Sequence, residues 1–170
     1  MRKRLFFLTL LAAISFATVS AQNYALIDME YILGEIPAYR QATTQIDNAS
    51  KQWQSEIEKI SKEAQSMYQT FQKKVATLTD AQRAKQEEDI IAKEKQAADL
   101  RRKYFGPEGE LSKKQTALIK PIEDQIYEAV KQIATRYGYA MVLDRASAQS
   151  IVFASPDIDI SNDVLQSMGY

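Results

Sequence analysis

The side chains whose types could do chemistry in this chain are carboxylates and cations, because it contains no histidine and no cysteine. Without imidazole or thiol it lacks the commonest general base, any thiolate ligand, and both the Ser-His-Asp and Cys-His triads. Two acidic runs remain, Glu87-Glu88-Asp89 and Asp157-Ile158-Asp159. The first sits in a lysine-rich helical stretch, and the second lacks the spaced ligands and the glycine of a calcium loop. Both are expected to be solvated or capping carboxylates. Neither G-x-x-x-x-G-K-[ST] nor G-x-G-x-x-G occurs among the five scattered glycines, so no loop is offered for cradling a nucleotide. The expectation is a protein that is not an enzyme, binds no cofactor and no metal, and works without ATP.

The cations are more informative. Within residues 64–86, Lys73, Lys74, Arg83 and Lys85 stand against the single carboxylate Asp80. If the chain folds back near Leu78-Thr79, these four gather at one end. They then form a basic tip suited to acidic polypeptides or to anionic lipid headgroups, with an attraction that salt would screen. The bland alternative is a solvated helix end. The whole chain balances 22 Lys+Arg against 22 Asp+Glu; loss of Arg2, Lys3 and Arg4 with an export signal would leave 19 against 22. A mildly acidic mature chain is not expected to bind nucleic acid.

The elements that must position these groups are mostly helical. Residues 38–105 contain neither glycine nor proline and are rich in Ala, Gln, Glu and Lys. Apolar residues recur at Ile46, Trp53, Ile57, Ile60, Ala64, Met67, Phe71, Val75 and Leu78, the three-and-four spacing of a coiled-coil seam. Such a seam needs a partner helix. Thr79-x-x-Gln82 reads as a capping box that starts a returning helix, with Asp80 at its positive end. On that helix Ile91, Ala98 and Phe105 repeat at sevens, widened by Ile90, Ala97, Leu100 and Tyr104. Phe105-Gly-Pro-Glu-Gly109 should interrupt it, and a further helix should run from Leu111 to Tyr137, bend at Pro121 and stop at Gly138.

Strand-like runs flank the helices at Tyr24–Asp28, Tyr139–Leu143 and Ser150–Ala154, and Ser161 is placed to cap a last short helix. The expected organisation is a body at 22–37 and 121–170 and a helical arm at 38–120 with its tip at 77–80. So small a body needs further cover. Leu26, Ile27, Val142, Leu143, Ile151, Val152 and Phe153 are accordingly expected to build an oligomerisation surface.

Residues 1–21 read as a secretory signal: three cations, an apolar run from Leu5 to Ala17, and Val19-Ser20-Ala21 before the expected cut. The apolar run is shorter than a spanning helix requires. With no cysteine near the cut, lipid attachment there is not expected, and the destination is the periplasm of a Gram-negative cell.

Ala25-Leu-Ile-Asp28, Gly138-Tyr-Ala-Met-Val-Leu-Asp144 and Asp159-Ile-Ser-Asn-Asp-Val-Leu165, in this order around a long helical hairpin, resemble the Skp/OmpH family of periplasmic chaperones. The resemblance spans the mature chain. It implies an α+β homotrimer: a small β-sheet body from which three long antiparallel α-helical hairpins, the coiled-coil tentacles, enclose a cavity. It also implies ATP-independent holding of unfolded outer-membrane proteins. Under it, Trp53, Ile57, Ile60, Met67, Phe71 and Val75 fill the hairpin seam, while Tyr68, one position off that seam, is a candidate for the cavity wall. The alternative from the residues alone is a non-catalytic coiled-coil spacer or adaptor of the cell envelope.

Overall fold

The computed structural model describes residues 23–148 and 151–170. The export signal expected over residues 1–21 lies outside the described residues. Strand β1 (Asn23–Ile27) leads into helix α1 (Met29–Glu35), the long helix α2 (Pro37–Lys74), a single 3-10 turn at Val75–Thr77 and the returning helix α3 (Asp80–Phe105). Helix α4 (Glu110–Tyr137), strand β2 (Tyr139–Asp144), a 3-10 turn at Pro156–Ile158 and helix α5 (Ser161–Met168) complete the chain. The fold is α+β: two strands at the foot of a helical arm.

Local chemistry sets each boundary. Asp28 caps α1, its Oδ1 accepting from the Tyr31 amide at 2.9 Å. Ile36 is extended and Pro37 opens α2, where a fixed φ suits the first helical position. At 38 residues, α2 is about 57 Å long. The capping box forms as its spacing requires: Thr79 Oγ1 accepts from the Gln82 amide at 3.3 Å, and Gln82 Oε1 accepts from the Thr79 amide at 3.0 Å.

The break between α3 and α4 is tight. A Cβ on Gly109 would sit 2.7 Å from the Tyr104 carbonyl oxygen and 2.9 Å from the Gly106 nitrogen, so only glycine fits there. Helix α4 runs through Pro121 without interruption and ends at Gly138, whose φ of 70° is the left-handed turn that lets β2 leave.

β1 and β2 pair in parallel, Ala25 opposite Val142 and Leu26 opposite Leu143. Ile122, Ile126, Ala129 and Ile133 form one face of α4 and pack with Ala25, Ile27, Ile32, Ile36, Ile160 and Val164 as the core. Core and sheet are small, and the helices account for most of the fold.

Two expectations are corrected, and one element is added. Residues 151–154 form no strand; the partner on the far side of β1 is instead an isolated parallel bridge from Leu26 to Asp159, beside which the Ile160 amide donates to the Leu26 carbonyl at 2.9 Å. An apolar run of strand length does not distinguish a paired strand from an exposed connection. Ser161 is not a helix cap, since α5 starts on it. Its buried hydroxyl donates to Asp159 Oδ1 at 2.6 Å and accepts from the Asp28 amide at 2.8 Å. Helix α1 was not anticipated, because seven residues give too little periodicity to read.

Candidate functional site on the helical arm

The arm is α2 packed against α3. Near its base Trp53 stacks on Tyr104 at 4.9 Å with planes 7° apart, and Phe105 meets Trp53 edge-on at 6.4 Å. The Tyr104 hydroxyl donates to Glu56 Oε2 at 2.9 Å. That hydrogen bond, then burial and the Glu56 charge, pushes the phenol above its ordinary pKa. Further out, Ile57, Ala64, Ile90 and Ala97 are buried in the seam. Lys93 reaches Glu63 across the helices at 2.8 Å, which holds the Glu63 carboxyl below its ordinary pKa, first through the hydrogen bond and then through charge. Trp53, Ile60, Met67, Phe71 and Val75 are half-buried.

The return helix uses a row one residue away from the sevens that stand out in its sequence. Ile90, Ala97 and Tyr104 face α2, while Ile91 and Ala98 are exposed. Both rows repeat at the same interval, so the phase of the hairpin decides between them, and here the Trp53–Tyr104 stack marks that phase.

At the tip the four cations are not alike. Lys85 is held by its own helix, 2.9 Å from Asp89 and 3.9 Å from Glu88, and the Asp89 hydrogen bond raises its pKa. Arg83 closes the turn, Nη2 donating to the Val75 carbonyl at 3.5 Å with Asp80 3.9 Å from Nη1. Lys73 and Lys74 meet no carboxylate among the described residues. Sequence counting treats the four as equals; i,i+4 pairing separates them. Tyr68 is 48% exposed on the arm.

In the body Leu26 and Ile27 are buried, Val142 and Ile151 half-buried, and Leu143 exposed. Val152 and Phe153 stand 99% and 84% exposed on the connection between β2 and α5. That connection is tethered by Arg145, which sequence reading passed over. Arg145 Nη2 lies 3.0 Å from Asp28 Oδ2 and Nη1 lies 3.3 Å from Asp159 Oδ2, so one guanidinium joins the end of β1 to the approach to α5. No signal in a single sequence pairs residues so far apart. Among the described residues no group of three or more His, Cys, Asp or Glu is arranged to hold a metal ion, and no helix is long and apolar enough to cross a membrane.

A family profile described as outer membrane protein (OmpH-like) matches residues 23–168, nearly all of what is described. The chain belongs to the OmpH-like family. Chaperone protein Skp of Pectobacterium atrosepticum is 27% identical over 161 residues, covering 95% of this chain and 94% of that one. Chaperone protein Skp of Yersinia enterocolitica is 27% identical over 158 residues, covering 93% of each. Among solved structures, one described as an OmpH-like outer membrane chaperone from Caulobacter crescentus aligns with a TM-score of 0.67 at 12% identity, over 88% of this chain and 85% of that one. That likeness supports the OmpH-like fold. The family supports a chaperone role rather than an enzymatic one.

Proposed function

We propose that this chain is an ATP-independent periplasmic holdase, a homotrimer that keeps unfolded outer-membrane proteins from aggregating in a cavity between its helical arms. The observation that carries the reading is the disproportion of the OmpH-like fold. An α2 of 38 residues, paired with α3, projects from a body that holds two short strands among the described residues. Such an arm offers surface and no reaction centre. Weak contacts from several arms hold a client by effective concentration and let it go when it folds into its membrane.

In this reading Tyr68 lines the cavity, and Lys73 and Lys74 supply the tip charge that acts at a distance, with Arg83 and Lys85 beside them. Val142, Leu143, Ile151, Val152 and Phe153 form the surface between copies, backed by Leu26 and Ile27, which are already buried within the single chain. An anionic lipid or lipopolysaccharide surface is the further partner that a basic tip would suit.

The test is dilution of a urea-unfolded outer-membrane β-barrel into buffer with and without the mature protein, using a soluble periplasmic protein as control. The holdase reading expects suppressed aggregation of the barrel. Protection of neither client points instead to an envelope spacer.

A further inference from the structure

The arm has two unlike faces. One groove beside the α2–α3 seam is lined by Gln54, Ile57, Glu58, Ser61, Arg101 and Phe105, with a volume of about 440 Å³. Another, of about 270 Å³, is lined by residues including Met67, Thr70, Lys74, Asp89 and Ile90. Along paired helices, residues seven apart share a face. Tyr68 lies one heptad beyond Ser61, and Ile91 lies two heptads before Phe105 by way of Ala98. Both therefore extend the Phe105 face. Glu63 lies one heptad before Thr70, and Glu56 one before that, so they extend the other.

The faces differ in chemistry. Tyr68, 48% exposed, and Ile91, 63% exposed, are the large apolar side chains that α2 and α3 leave exposed among the described residues, and both fall on the Phe105 face. The opposite face carries the polar contacts that tie the helices together, Lys93 to Glu63 and Tyr104 to Glu56. On the Phe105 face, Glu58 is engaged by Lys62 at 2.6 Å, whereas Arg101 meets no carboxylate among the described residues. That groove thus sets the apolar Ile57 and Phe105 between Glu58 and Arg101, while Glu94 and Glu87, one and two heptads before Arg101 on the same face, meet no cation among the described residues.

We infer that the face carrying Tyr68, Ile91 and the Phe105–Arg101 groove is the client-contacting face, taking single large apolar side chains of an unfolded polypeptide. This rests on the holdase reading above. A helix from a second copy does not fit the surface, because a helical partner needs bulky apolar residues at successive a and d positions. Here Ala98, Ser61 and Gln54 separate the large ones. Isolated apolar knobs with small and polar gaps suit an irregular chain, and the mixed charges beside them, Arg101 with Glu94 and Glu87, suit a client of varied sequence.

The absence of cysteine from the chain makes S61C and T70C clean attachment points for a benzophenone, one on each face. With a urea-unfolded outer-membrane β-barrel as client, S61C should give at least about fivefold more client crosslink than T70C. Y68S combined with I91S should raise the concentration needed for half-maximal protection about threefold, with scattering mass and helicity unchanged. Equal crosslinking from the two faces, or arm-to-arm products from S61C, overturns the assignment while leaving the holdase reading standing. A wild-type protein that protects no client refutes the holdase reading, and the face assignment with it.

Discussion

Tyr104 meets Trp53 with its ring and Glu56 with its hydroxyl, while the Lys103 ammonium lies 5.3 Å from its ring centroid. The neutral phenol donates to a carboxylate, so ionisation removes the bond and sets two negative charges side by side. With the folded pKa raised, this contribution is complete below about pH 10, the ordinary tyrosine value, and is lost as pH rises through the folded pKa. Trp53 is the only tryptophan, so its fluorescence reports on this level of the arm. An alkaline transition in that signal is expected for the wild type and should be lost in Y104F. Asp144 behaves in the opposite sense. Burial works to raise its pKa, but hydrogen bonds from the Met29 amide at 3.1 Å, from Ser147 and from the Ala146 amide at 3.0 Å outweigh it and hold it low. Its contribution is present above the ordinary aspartate range and fades as pH falls through the lowered value. D144N should therefore lower the thermal midpoint at neutral pH and flatten its acid dependence, leaving the two proteins closer near pH 3.

Among the elements, those defined by a repeated period or a cap were legible in the sequence, and those defined by a distant partner were not. The α2 seam, the Thr79–Gln82 box, the break at residues 106–109 and the stop at Gly138 each follow from neighbours within a few positions. The return-helix phase, the pairing of Leu26 with Asp159 instead of a third strand, and the Arg145 tether depend on residues brought together from far along the chain. The candidate site divides the same way: Tyr68 is visible as a residue just off the seam, but Ile91 reads as part of the seam until the packing of Tyr104 fixes the phase. Local signals also have local consequences. T79A removes the acceptor for the Gln82 amide and should weaken the start of α3 by about 1 kcal/mol. Hydrogen exchange should quicken around residues 77–86 and stay unchanged in the body core, because the 3-10 turn at the tip packs on α2.

For the whole molecule, the proposed roles of the tip charge and of the apolar body surface are separated by different measurements. On the proposed steering role of Lys73 and Lys74, K73Q with K74Q should slow client association several-fold at low ionic strength and hardly at all near 1 M salt, where the screening length falls to about 3 Å. Rates that match the wild type at low salt would remove the steering role. Val152 and Phe153 are proposed to act on assembly. V152S with F153S should shift the scattering mass toward the monomer and reduce client protection, while the arm keeps its helicity. The parallel pairing of β1 with β2 bears on the order of events as the chain matures. Tyr24 lies opposite Met141, with the whole arm between them in sequence. Closing a flexible loop of that length costs about 4 kcal/mol of chain entropy. A formed hairpin returns the chain toward its start and shortens the effective loop, so the arm should fold first and the sheet close last. The arm would then stand extended before the body that anchors it is complete.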